Sequence, residues 1–354
     1  MRITLALLIL ILCTSCKVRN QQASEINRHS QIIPEPLKQK FTEGRFVISS
    51  KTKIMGNAAL KEVGDYLSEI LTGATGHHFD FHSQNGAAKK NTILLKLDTS
   101  INEDEGYKLY VSPYSITISG KNEKGIFYGI QSLRQLFPPE AGGNKAKKQE
   151  QLALVCTEIE DAPRFEWRGM MLDISRHFIP VEEIKKLINS MAAHKLNRLH
   201  LHLSDNSGWR IEIKEYPKLT SIGAIGQHSD PKAPAQFLTE KEARELAEYA
   251  RRHFITIVPE IDMPGHSGAI VRAYPELDGG ENTINVASDK TAKFVDIIIN
   301  RITDIFNTKY FHFGSDEVFK NGWMTIADTK LKMAEMGFKE TRELEGWFDR
   351  RTAE

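Results

Sequence analysis

The chain of 354 residues is 40% hydrophobic and 26% charged, the balance of an ordinary globular protein with room for two domains. Its 47 Lys and Arg against 46 Asp and Glu leave a net charge of +1, so no global field draws it to nucleic acid or to an anionic membrane surface.

The first 15 residues, MRITLALLILILCTS, join a basic start at Arg2 to an unbroken apolar run and small residues just before Cys16. This is the pattern of an export signal, too short for a comfortable transmembrane span. The run Cys13-Thr14-Ser15-Cys16 resembles a bacterial lipobox, in which the final Cys is acylated after cleavage, although Cys13 stands where Leu is usual. Residues 1–16 are therefore expected to be a signal with a lipid site at Cys16, the alternative being a plain secretory signal. Either way the mature protein is expected outside the cytoplasm, in the periplasm or on the outer membrane of a bacterium, touching membrane only through that lipid. With Cys16 acylated, Cys156 is the thiol left over, and no internal disulfide is expected. Residues 17–36 are polar and lack period, as a tether does.

A small α+β domain is expected over 37–150. Phe46–Ser49 reads as a strand, Asn57–Leu71 has the 3.6 spacing of an amphipathic helix, and Thr92–Leu97 is again a strand. Tyr107–Val111 and Ser115–Ser119 form a hairpin around Pro113, and Gly125–Phe137 closes the unit as a helix with Ile126, Tyr128, Ile130, Leu133 and Leu136 on its apolar face. His77 and His78 read as loop residues. The polar stretch Gly142–Gln151 is expected to be a surface loop at the boundary.

From 151 to 354 strands and helices alternate: strand Gly169–Ile174, helix Val181–His194, strand Asn197–Leu203, helix Thr239–Arg252, strand Ile255–Glu260, helix Asp289–Phe306, strand Tyr310–Phe313. Such alternation implies right-handed βαβ units and a parallel sheet. Each strand ends in polar residues: Asp173, Ser175, Arg176 and His177; then Ser204, Asp205 and Asn206; then Glu260, Asp262 and His266; then Asp316 and Glu317. Four such clusters on one face are the signature of a TIM barrel, whose active site is built at the C-terminal strand ends. No glycine-rich phosphate loop follows the first strand, which argues against a doubly wound sheet. Four strands lie between Gly169 and Glu354, where a closed barrel needs about eight. The fold class expected is therefore α/β, the N-terminal half of a TIM barrel behind a small α+β domain, with the sequence truncated. Glu343–Arg351 reads as the helix before a fifth strand, so Trp347 does not substitute for the later strands.

The stretch Tyr310–Phe319, YFHFGSDEVF, reads as a buried strand broken by Gly314 and ending in two carboxylates. Desolvation and mutual repulsion are expected to keep one of the two protonated, giving an acid beside a base or orienting group. An Asp-Glu pair alone is a common solvated loop feature, so the surrounding chain must support the reading.

Four runs supply that support: RGMMLDISRHF, KLNRLHLHLSDNSGWRIEI, VPEIDMPGHS and HFGSDEV. In this order and spacing they resemble the family 20 glycoside hydrolases, the β-N-acetylhexosaminidases. The resemblance covers about Trp167 to the end, and the first domain is similar to the one preceding the barrel in that family. It implies exo-hydrolysis of terminal β-linked N-acetylhexosamine, from N-acetylhexosamine-containing glycans or chitooligosaccharides. It also implies catalysis assisted by the substrate's own 2-acetamido oxygen, with retention and no cofactor or metal. By the resemblance Glu317 is the general acid/base and Asp316 orients the acetamide and offsets charge on the oxazolinium. Arg176 holds sugar hydroxyls, with a salt bridge to Asp173 or Asp205 as the alternative. Asp205 and His266 form a pair that positions the acid, and Asp262 lines the pocket. Ser315 departs from the family, which commonly has a second Gly there.

His177, His200 and Trp209 read more simply as buried support. A rival reading takes His200 and His202, two apart on one strand face, with Asp205 or Asp262 as ligands of a catalytic metal. Another is a sugar-binding barrel without catalysis. The sequence leaves linkage preference and oligomeric state open.

Overall fold

The computed structural model describes residues 32–84, 86–142 and 151–354. The export signal with Cys16, the tether to residue 31 and most of the Gly142–Gln151 loop lie outside the described residues. The end of the expected tether is not detached: Ile32 is buried, and Gln135 closes on Ile33, taking its N–H at 2.8 Å and donating to its carbonyl at 2.9 Å.

The first unit is a seven-stranded mixed sheet with two long helices. In chain order it comprises β1 (Lys38–Ile48), β2 (Lys53–Gly56), α1 (Lys61–Thr75), β3 (Phe81–Ser83), β4 (Thr92–Leu97), β5 (Tyr107–Val111), β6 (Ser115–Gly120), α2 (Glu123–Gln135) and β7 (Leu152–Asp161). The spatial order is β1-β7-β5-β6-β4-β2-β3. Alternation fixes the buried side of β5, where Tyr107, Leu109 and Val111 point inward between exposed Lys108 and Tyr110. Asn122 caps α2 by accepting from the N–H groups of Lys124 and Gly125.

The sheet corrects the domain boundary at 150/151. Strand β7 pairs antiparallel with β1 and β5, so the small domain extends through Asp161. This strand is not anticipated from the sequence, and its partners lie far back in the chain, on β1 and β5. Strand β1 likewise begins at Lys38 instead of Phe46, because ladder pairing to β7 holds the polar first half.

The second unit alternates β8 (Gly169–Asp173), α3 (Val181–Ala193), β9 (Arg198–His202), α4 (Glu240–Arg252), β10 (Thr256–Glu260) and α5 (Asp289–Phe306), followed by α6 (Ala327–Met336) and α7 (Thr341–Ala353). Helix α4 starts with a capping box between Thr239 and Glu242. Strands β8, β9 and β10 are parallel and in sequence order, with Arg198 opposite both Gly169 and Thr256. This is the α/β start of a TIM barrel.

The fourth strand is weaker than the aromatic run implies. Tyr310–Phe313 reaches β10 through one parallel bridge, His312 to Glu260, with backbone bonds His312 N–H to Pro259 O at 2.9 Å and Met263 N–H to Phe313 O at 2.9 Å. His312 is exposed and its neighbours half-buried, so the segment is not a buried strand.

Two buried polar ties lock the units together. Lys195 Nζ donates to Asp161 Oδ2 at 2.7 Å and to the Tyr107 hydroxyl at 2.9 Å, and Arg168 pairs with Glu105.

Candidate active site

The polar ends of β8, β9 and β10 and the loop after Phe313 meet at one place. At the end of β8, Asp173 accepts the N–H groups of Ser175 and Arg176, each at 2.9 Å, which forms the turn that presents Arg176. The Arg176 guanidinium is forked between two carboxylates, 2.9 Å from Asp173 Oδ2 and 2.7 Å from Asp205 Oδ2. The salt bridge therefore exists, to both acids at once, and the Arg176 side chain is 37% exposed.

Beyond β9 the chain folds back in a two-residue ladder, Ser204–Asp205 against Gly208–Trp209, which buries Asp205 to 3% exposure. Burial alone would raise the Asp205 pKa. The His202 ring, the Arg176 charge and the Asn206 N–H outweigh it and hold the carboxyl below its ordinary range. Trp209 is fully buried and donates to the Ile211 carbonyl, as expected of structural support. His177, by contrast, is exposed and meets Ser229 Oγ at 3.0 Å, which corrects its reading as buried support.

His200 and His202 do share one face of β9, and what they hold is Glu260. His200 Nε2 lies 2.5 Å and His202 Nδ1 2.8 Å from Glu260 Oε2, and His312 Nδ1 lies 3.4 Å from Oε1. Glu260 is 4% exposed; burial opposes its charge, but the three imidazoles keep it ionised well below the ordinary carboxylate range. For His202 burial pulls the pKa down, and Asp205 and Glu260 reverse this, raising it to about 10. A metal ligand must be neutral imidazole, whereas the two carboxylates beside His202 favour its charged form. The side chains of His202, Asp205 and Asp262 approach closely enough to share an ion, and Asp205 is already paired with Arg176.

After β10, Asp262 is 2% exposed and its Oδ1 has no hydrogen-bond partner. Burial, then the charges of Asp316 and Glu260, push its carboxyl up to about 7 against the opposing pull of His266 and His202. The expectation that desolvation acts on the Asp316–Glu317 pair is therefore corrected. Both of those residues are exposed, Glu317 to 72% of its side chain, and the carboxyl whose pKa burial raises is Asp262, one strand over.

His266 joins the parts. It sits in left-handed backbone at φ +45°, with Nδ1 3.4 Å from Asp205 Oδ2 and Nε2 3.3 Å from Glu317 Oε2. These are ion-pair distances without hydrogen-bond alignment. Asp316 groups with Asp262 and His266. The pair itself is not on a strand end. Gly314, Ser315 and Glu317 have φ of +66°, +70° and +49°, a strained turn of the kind that concentrates at functional sites.

Arg176, Asp205, Asp262, His266, Asp316 and Glu317 are thus all brought together. Sequence reasoning missed the part played by Glu260 and His312. The signal was present in the alternation Glu260, Asp262 along a strand continuation and in His312 preceding Gly314.

Chemically the site offers an exposed carboxyl backed by an imidazole and a buried acid, a second carboxylate beside it, and a forked cation. Residues 165–354 match the glycosyl hydrolase family 20 catalytic domain, and residues 29–162 match domain 2 of the same family. A beta-hexosaminidase of Porphyromonas gingivalis is 34% identical over 96% of this chain and 46% of its own length. The crystal structure of a GH20 exo-β-N-acetylglucosaminidase from Vibrio harveyi, in complex with N-acetylglucosamine, superposes with TM-score 0.80 at 32% identity. It covers 91% of this chain and 52% of that one. A β-N-acetylhexosaminidase from Bacteroides fragilis gives TM-score 0.79 at 32% identity, over 90% of this chain and 63% of that one. The chain spans about half the length of the curated relatives it matches.

Proposed function

The chain belongs to glycosyl hydrolase family 20, and from that membership we propose that the protein releases terminal β-linked N-acetylhexosamine, GlcNAc or GalNAc, from the non-reducing ends of glycans. The observation that carries the reading is His266, set between Glu317 and Asp205 with Asp316 alongside.

Glu317 gives its proton to the glycosidic oxygen as the bond from that oxygen to the anomeric carbon breaks. The substrate's acetamido oxygen closes on the same carbon and forms a cyclic oxazolinium. Asp316 accepts the acetamide N–H and offsets the developing positive charge. Glu317, now a carboxylate, takes a proton from water as it opens the ring, so configuration is retained. His266 holds the Glu317 carboxyl, Asp205 fixes the imidazole, and the free donors of Arg176 suit two sugar hydroxyls. The protein works after export, in the periplasm or on the outer membrane, anchored there by lipid on Cys16. Labelling with a fatty-acid probe tests that, and a Cys16→Ser variant that stays labelled overturns it.

The decisive experiment replaces Glu317 by Gln in the intact protein. Turnover is expected to fall severely on substrates with poor leaving groups and much less on activated aryl glycosides, which need little protonation. Equal losses on both would remove Glu317 from the acid role.

A further inference from the structure

The turn that carries Asp316 and Glu317 contains a residue that chain chemistry does not favour there. Ser315 adopts φ +70°, a conformation suited to glycine, immediately before the acid pair. Something must hold it. Its hydroxyl donates to Asp349 Oδ1 at 2.9 Å, and on the other side of the pair Lys320 Nζ lies 2.8 Å from Glu345 Oε2. Lys320 Nζ also donates to the Val318 carbonyl at 3.1 Å, so the grip reaches the backbone next to Glu317.

Glu345 and Asp349 are four apart on α7, hence stacked on one helix face. The neighbouring positions Leu344 and Phe348 are fully buried and seat the helix in the core. The two acids are therefore presented from a fixed support, and the two residues they grip flank the catalytic pair. Lys320 and Glu345 are largely shielded, at 28% and 16% side-chain exposure, so the ion pair is not a freely solvated one.

We propose that α7 is a clamp for the acid turn, with Asp349 and Glu345 as positioning residues. In this assignment the Ser315–Asp349 bond supplies the hold that lets a non-glycine residue occupy the left-handed position. The clamp touches no substrate; its effect on catalysis rests on the glycosidase reading, through the placement of Glu317.

The test is hydrogen exchange of the peptide 314–320 in Asp349→Ala, Asp349→Asn and Ser315→Ala, and in Asp349→Ala built on Ser315→Gly. Asp349→Ala and Ser315→Ala should each speed exchange by about tenfold or more. Asp349→Asn, whose amide oxygen still accepts from Ser315, should recover most of the protection. On the Ser315→Gly background, removing Asp349 should change nothing further. Unchanged exchange in Asp349→Ala, or the same increase with and without the glycine, overturns the clamp. The intact enzyme gives a second readout: Asp349→Ala should lose more turnover on poor leaving groups than on activated ones, a bias that general unfolding does not produce. If exchange behaves as expected while the unmodified enzyme has no glycosidase activity, the functional reading falls and the clamp stands. If the enzyme is active while exchange and turnover are indifferent to Asp349, the clamp falls and the functional reading stands.

Discussion

Asp262 is packed against the backbone of Gly314: a Cβ built on Gly314 would stand 1.9 Å from Asp262 Oδ1 and 2.4 Å from its Cγ. The buried carboxyl and the start of the acid turn therefore interlock across two strands.

Gly314→Ala should be costly twice over, through that overlap and through the left-handed φ of +66°. We expect a loss of about 2–4 kcal/mol in stability, together with a larger fall in turnover as Asp316 is displaced. Urea denaturation checks the first, and a change within about 0.5 kcal/mol would contradict this close packing.

Asp262 should leave a mark on the pH dependence of stability. Its folded pKa is raised to about 7 from an ordinary 3.8, so between those values the folded chain holds a proton that the unfolded chain has released. Stability from this group falls as pH rises through that window and then levels. Asp262→Asn cannot ionise, so its stability relative to the unmodified protein should improve from pH 4 to pH 8. Denaturation curves at several pH values that stay parallel for the two proteins would refute this.

Glu260 and His202 predict a loss of stability in a higher pH window. His202 has a folded pKa raised to about 10 from 6.5, so its contribution is complete below 6.5 and is lost as pH rises through about 10. Glu260→Gln removes a partner of this buried group and should cost about 3–5 kcal/mol at pH 6, with the gap narrowing toward pH 10. A constant gap across that range would mean that His202 is not held as a cation by Glu260.

Arg210 supports the Arg176 segment from beneath. It is fully buried and, among the described residues, its side chain hydrogen-bonds to carbonyls: Ser175 at 2.9 Å, Ala224 at 2.8 Å, Gln236 at 2.9 Å and Gly226 at 2.6 Å. His228, within the loop so gathered, donates its N–H to the Arg176 carbonyl at 2.8 Å. Arg210→Met should cost about 3 kcal/mol or more by leaving those acceptors unmatched, and Lys should restore little because it lacks the planar fork. Where the variant still folds, its KM should rise more than its kcat falls; a rescue by Lys to full stability would count against this role for the guanidinium.

The α/β class, the alternation of strands and helices from Gly169 to Phe306, and the family were legible in the amino-acid order. Four motifs with polar residues at strand ends are local signals, and through the family resemblance they named Arg176, Asp205, Asp262, His266, Asp316 and Glu317, but not the part of Glu260 and His312. Tertiary structure, through packing between distant strands, set which buried carboxyl has its pKa raised. Burial depends on what packs over a side chain from other strands, so the strain and exposure fell on the turn of Asp316 and Glu317 while Asp262 took the buried place. It also decided that β7 belongs to the first sheet and that His200 and His202 serve Glu260, because a strand's partner and a charge's partner are both set by contacts between distant residues. Periodicity reports which way a side chain faces, and only the folded chain supplies what it meets there.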